Sequence, residues 1–262
     1  MNTRLNFSSD GFGSLSPSKA QLVGLVACVA LGLSACSTTS RQLPVSPSSV
    51  TITDAANGRQ VPVALYGLGR GERPLAVISN GYGGNNTAYA FIAEALVRRG
   101  YLVAAVQQDL PSDPPMPQGG ENLAERRRPH WAVGVSAILA VQRTLRAQGA
   151  VSEAPMVLVG HSNGGDISML LAQERPDAVR MVFSLDNRRM PLPRTARPRV
   201  CSLRSSDQPA DRGVLPSPEE AAGLGIQITQ AVDLQHNDMW DGAAPPQKAQ
   251  MLEALGRCLA AS

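Results

Sequence analysis

Four apolar residues, Met156-Val157-Leu158-Val159, run directly into Gly160-His161-Ser162-Asn163-Gly164-Gly165, and a helix-like stretch follows. This is a G-x-S-x-G pentapeptide in the setting that its chemistry requires. A strand that turns abruptly into a helix forces the central residue into a strained conformation and lifts its hydroxyl clear of the sheet's end, while side chains at 160 and 164 would collide with neighbouring backbone. Ser162 is therefore the candidate nucleophile for attack on a carbonyl. A serine hydroxyl does this only when a base takes its proton. The chain has three histidines. His161 adjoins Ser162, so its ring should project away and pack locally, and His130 precedes a helix well before the nucleophile. His236, in Gln235-His236-Asn237-Asp238-Met239, lies just past the last apolar run and is the candidate base.

These residues need a scaffold, and the hydrophobic pattern supplies one. Val50 to Thr53 and Val61 to Tyr66 are short β-prone runs. Asn57-Gly58 between them marks a hairpin, since both residues tolerate positive φ. Mostly apolar runs follow at Leu75 to Ile78, Leu102 to Val106, Met156 to Val159, Met181 to Leu185, Val200 to Leu203 and Ile226 to Val232. Their alternation with amphipathic stretches is how a parallel sheet covered by helices reads. Ala88, Phe91, Ile92, Ala95 and Leu96 recur at helical spacing, with Asn86 or Thr87 as cap and Gly100 as stop. Further helices are expected at Trp131 to Gln148, Gly165 to Glu174 and Pro246 to Ala260. The loop from Asp109 to His130, rich in proline and glycine, could form one wall of a cleft. Arg126 to Arg128 within it read as a solvated face.

From the opening hairpin to the final helix, this order and the G-x-S-x-G turn resemble the α/β-hydrolase family. The resemblance implies a mostly parallel sheet covered by helices on both faces. The connection between Leu185 and Val200 is too short for a large cap domain, so the cleft should be open. In that family one oxyanion donor is the backbone NH after the nucleophile, here Asn163. The second comes from the loop after the third strand, Ser79-Asn80-Gly81-Tyr82-Gly83-Gly84, where position selects the NH of Tyr82 and Asn80 replaces the family's usual histidine. The family's base follows the last strand, as His236 does. Its acid usually follows strand seven, which selects Asp207, with Asp186 at the end of the preceding strand and Asp211 further along as the alternatives. The chain is similar to capless esterases such as the chlorophyllase-like, cutinase-like and dienelactone-hydrolase-like groups, with serine in place of the cysteine of dienelactone hydrolases.

The N-terminus reads as export machinery. Leu22 to Leu33 is an unbroken apolar stretch after Lys19, too short to span a bilayer. Leu33-Ser34-Ala35-Cys36 resembles the bacterial lipobox, which implies removal of residues 1–35 and acylation of Cys36. Ser37 then favours the outer membrane. Residues 36–49, rich in Ser, Thr and Pro, should form a flexible stalk, and 50–262 the catalytic domain. In an oxidising compartment Cys201 and Cys258 could pair or remain separately buried thiols.

Of the 262 residues 43% are hydrophobic and 17% charged, enough for one large core, and the formal charge of +3 is spread along the chain. That argues against a nucleic-acid partner. No metal-ligand spacing, phosphate-binding loop or cofactor motif occurs, so neither metal nor cofactor is expected. The expected partners are an acyl-ester substrate or other small molecule and, through the lipid anchor, the membrane of a bacterial cell envelope. A carboxylic-ester hydrolase is the leading reading. An amidase or peptidase would use the same residues, and a noncatalytic envelope lipoprotein could use the fold as a binding module.

Overall fold

The computed structural model describes residues 46–260. The expected signal segment at 1–35, Cys36 and most of the expected stalk therefore lie outside the described residues. Eight strands form one sheet: β1 Ser48–Asp54, β2 Arg59–Tyr66, β3 Leu75–Ser79, β4 Leu102–Val106, β5 Met156–His161, β6 Val179–Leu185, β7 Arg199–Arg204 and β8 Gln227–Gln230. Their order is β1-β2-β4-β3-β5-β6-β7-β8. β2 runs antiparallel to β1 and β4, and every later pairing is parallel.

The helices cover both faces, as a parallel sheet requires. Along β3, Leu75 and Val77 join one core cluster with α2 (Leu123–Ala147) and α3 (Asn163–Glu174), while Ala76 and Ile78 join the other with α1 (Ala90–Val97) and α5 (Pro245–Ala260). This two-residue alternation explains the unbroken apolar runs, since both faces are buried. Each fully buried aliphatic side chain contributes on the order of 1.5–3 kcal/mol. Cys201 of β7 and Cys258 of α5 form a disulfide across this second core, with Cα atoms 6.3 Å apart. Among the described residues no helix is long and apolar enough to cross a membrane.

Several boundaries differ from the sequence expectation. The opening turn is longer than a two-residue hairpin: the NH groups of Asn57 and Gly58 both donate to the Asp54 carbonyl, at 3.2 and 2.7 Å, and of the two only Gly58 has positive φ. Helix α2 begins at Leu123, about two turns before Trp131, and runs through Pro129. A proline there forgoes one helical hydrogen bond, and the arginine run stabilises this end instead. Arg127 is buried and its Nε donates to the Pro117 carbonyl at 2.7 Å, Arg126 donates to the Gly119 carbonyl at 2.8 Å, and Arg128 pairs with Glu174 at 2.8 Å. Arg126 and Arg128 are exposed, as a solvated face would be, whereas the buried Arg127 departs from that expectation and anchors the helix end. A short helix, α4 (Pro218–Leu224), was not expected. Ser217 caps it by accepting from the Glu220 NH at 3.1 Å, and Gly225 ends it at φ 67°.

Candidate active site

The turn from β5 into α3 places Ser162 at φ 51°, ψ −118°, a conformation that few L-residues adopt. The glycines around it are required for space. A Cβ on Gly160 would fall under 3.0 Å from the backbone of Gly164, and one on Gly164 equally close to the backbone of Ser79 and Asn80. The Ser162 NH donates to the Leu185 carbonyl at 2.9 Å, which ties the turn to the end of β6.

Ser162 Oγ lies 2.9 Å from His236 Nε2, so the structure brings the candidate nucleophile and base together. His236 opens a short 3-10 turn after β8 and is held at three points. Its NH donates to Asp207 Oδ1 at 2.7 Å, its carbonyl lies 3.0 Å from His161 Nε2, and its ring Nδ1 lies 2.6 Å from Asp186 Oδ2. The carboxylate on the imidazole is therefore Asp186, and the expectation of Asp207 is corrected. Asp207 takes the backbone of the same residue instead. Asp211 sits in an exposed turn where its own NH donates to the Arg188 carbonyl.

The reason lies at the end of β7. That strand finishes in Arg204, 4% exposed, whose Nη2 is 2.7 Å from Asp186 Oδ1 and whose Nη1 donates to the Asn187 carbonyl at 2.6 Å. A buried guanidinium needs a buried counter-charge, and Asp186, at φ 56° just past β6, turns toward both Arg204 and His236. The Ser205 NH adds a third donor at 3.0 Å. Burial pushes the Asp186 carboxyl up, but the His236 hydrogen bond, the Arg204 charge and the Ser205 NH together hold it below its ordinary value.

The loop after β3 packs against the nucleophile, since a Cβ on Gly81 would stand 3.5 Å from Ser162 Cβ. Asn80, which stands in place of the histidine that the family resemblance implies, stitches this loop. Its Nδ2 donates to the carbonyls of Gly81 and Gly84 at 2.9 and 3.2 Å, and its Oδ1 accepts the Gln108 NH at 3.0 Å. Among the described residues the backbone NH groups of Tyr82 and Asn163, the expected oxyanion donors, donate to no protein group. The Asn163 side chain is fixed by Trp131, whose indole NH donates to its Oδ1 at 2.9 Å.

Sequence reasoning missed a second network. His161 Nδ1 lies 2.8 Å from Tyr89 Oη, which accepts the Gly81 NH at 3.2 Å. The His236 carbonyl can only accept, so His161 carries its proton on Nε2, and the Tyr89 hydroxyl donates to Nδ1. Burial, followed by the neighbouring His236, lowers His161 to about 4, and burial pushes Tyr89 up to about 12, so both are neutral over a wide pH range. The chain Gly81–Tyr89–His161–His236 joins the expected oxyanion loop to the backbone of the candidate base. His130, expected to be structural or on the surface, lines a small cavity beside Asn163.

No family model matches the chain, and neither does any curated protein. Solved structures do. A bacterial heroin esterase is 16% identical, covering 82% of this chain and 85% of its own, with a TM-score of 0.58. A putative dienelactone hydrolase from Klebsiella pneumoniae is 14% identical, with coverage of 82% and 98% and a TM-score of 0.58. An alpha-beta serine hydrolase homologue from Coxiella burnetii is 14% identical, with coverage of 83% and 100% and a TM-score of 0.53. With these, the mostly parallel eight-stranded sheet and its two helical layers are the α/β-hydrolase fold without a large cap.

Proposed function

We propose that this protein is a serine hydrolase that cleaves carboxylic esters through an acyl-enzyme, with Ser162 as nucleophile, His236 as base and Asp186 as the acid. The observation that carries the reading is the continuous line from Asp186 Oδ2 to His236 Nδ1 at 2.6 Å and from His236 Nε2 to Ser162 Oγ at 2.9 Å. In the first step Oγ bonds to the ester carbon while its proton passes to Nε2, and the NH groups of Tyr82 and Asn163 hold the oxyanion. Asp186 fixes the Nδ1–H tautomer and stabilises the imidazolium. That imidazolium returns the proton to the leaving alcohol as the carbon–oxygen bond breaks. Water, deprotonated by the same nitrogen, then releases the acid. A noncatalytic binding module has no need of a strained serine aligned on a buried imidazole.

The solved esterases and serine hydrolases that share the fold support this reading as analogy. The test is labelling of Ser162 by a fluorophosphonate probe with Ser162→Ala as control, together with turnover of short activated esters. Labelling that persists in Ser162→Ala removes the assignment.

We further propose that residues 1–35 are removed on export and that acylated Cys36 holds the enzyme on the cell envelope. The Cys201–Cys258 disulfide suits an oxidising compartment, and acyl chains on a terminal cysteine bury many methylene groups in a bilayer. Cys36→Ser should leave the membrane fraction; identical retention overturns the anchor.

A further inference from the structure

A cavity of about 60 Å³ opens at Asn163, the residue after the candidate nucleophile. Tyr82 and Asn163 line it, with Met116, Val133 and Ile167 contributing its apolar wall. Its place along the sheet decides which half of an ester it faces. The loops after β3 and β4 that help to build it lie on one side of β5, whereas Asp186 and His236 follow β6 and β8 on the other. The base must reach the leaving oxygen to return its proton. The leaving group of an ester held at Ser162 therefore lies on the His236 side, and the acyl substituent on the cavity side.

The volume sets a length. At about 60 Å³ the cavity is small, room for a short acyl chain and not for a long one. Its wall also sets a charge. Asp109 and Asp113 line it, and among the described residues no lysine or arginine does. Asp113 is paired with Arg59, but Asp109 accepts only from neutral donors, the Gly83 NH at 2.9 Å and the Asn80 amide at 3.4 Å. A chain ending in its own carboxylate would meet like charge at Asp109 that Arg59 offsets only in part. Gly134 of α2 packs behind two lining residues: a Cβ there would stand 2.7 Å from Gln108 Oε1 and from Ile167 Cδ1 and would push them toward the cavity.

We propose that this cavity receives the acyl part of the substrate and restricts it to a short, uncharged chain, the larger alcohol part lying outside. The inference rests on the ester-hydrolase reading above. It is tested with the full chain in detergent, on aryl esters of acetate, butyrate, hexanoate and octanoate and on the aryl half-ester of succinate, read as ratios of kcat/KM. The wild type should favour butyrate over both octanoate and succinate by about tenfold or more. Ile167→Ala and Met116→Ala should each raise the octanoate-to-butyrate ratio by about tenfold, Gly134→Ala should lower the butyrate-to-acetate ratio, and Asp109→Asn should narrow the gap between butyrate and succinate. The ratios need only active protein, so a variant that loses stability still reports, and Met116→Ala serves if Ile167→Ala fails to fold. Equal turnover of octanoate and butyrate by the wild type, or an unmoved length ratio in the cavity variants, overturns the acyl assignment. Equal turnover of succinate and butyrate overturns the charge restriction. Ser162 labelling without turnover of any ester removes the ester reading itself, whereas turnover without length discrimination removes only this inference.

Discussion

Arg204 Nη2 lies 2.7 Å from Asp186 Oδ1, so the carboxylate that meets His236 on one oxygen holds a buried guanidinium on the other. Removing one partner strands the other charge in the core. Arg204→Met should lower unfolding stability by about 3–5 kcal/mol at pH 7, and Asp186→Asn/Arg204→Met should recover part of that loss. Urea unfolding of the single and double variants checks this, and additive losses would refute the coupling. Because Asp186 is held below its ordinary value, the pair's contribution is present above the usual carboxylate range and fades as pH falls through the lowered folded value.

Asp186 and Asp207 both touch His236, but at different atoms. Asp186→Asn should lower kcat by about 10³–10⁴-fold, because an amide can impose the wrong imidazole tautomer. Asp207→Asn keeps an oxygen for the His236 NH and should stay within about tenfold of wild type. Steady-state kinetics that reverse this ranking would return the acid to Asp207.

Tyr89→Phe removes the hydroxyl between Gly81 and His161. Leaving a buried NH and an imidazole nitrogen unpaired costs about 1–3 kcal/mol of stability. If the network positions the oxyanion loop and the base, kcat should fall by about tenfold with KM nearly unchanged. An intact kcat in a destabilised Tyr89→Phe protein would leave the phenol a purely structural role.

His161 is buried and lowered from 6.5 to about 4, so between these values the unfolded chain takes a proton that the folded one refuses. Stability from this group is full above about pH 6.5 and falls as pH drops toward 4, by roughly 1.4 kcal/mol per pH unit and on the order of 3 kcal/mol in all. His161→Gln should show a correspondingly shallower dependence of unfolding free energy on pH across that window. Parallel curves for the two proteins would contradict a neutral, buried His161.

Reduction of the Cys201–Cys258 bond, or Cys201→Ala with Cys258→Ala, should lower stability by about 4 kcal/mol, the loop-entropy value for a separation of 57 residues. The bond joins β7 to α5 away from Ser162, so probe labelling of the folded fraction should persist. Denaturation midpoints with and without reductant check the first part, and loss of labelling before unfolding would contradict the second.

Ser162 and His236 could be read from the sequence because each follows an apolar run that ends in one place only. The acid could not, since three carboxylates follow strands and only their counter-charges tell them apart. The available signal was Arg204, a cation closing the apolar run Val200-Cys201-Ser202-Leu203, which demanded a buried partner. Pro129 hid the first turns of α2, because local propensity gives no weight to the tertiary bonds of Arg126 and Arg127. The Tyr89–His161 contact joins residues 72 apart, and no periodicity encodes it. The parallel strands, buried on both faces, left the clearest pattern.

His236 hangs from three strand ends at once, by its backbone from His161, which closes β5, and Asp207, which follows β7, and by its ring from Asp186, which follows β6. Slippage of any one of these strands shifts the ring, and a displacement of about 1 Å at a reacting group can cost about 100-fold in rate. On the proposed hydrolase reading, heat should therefore extinguish turnover in step with the melting of this half of the sheet, not earlier through fraying of a loop, which makes residual ester turnover a gauge of how far the central strands remain in register.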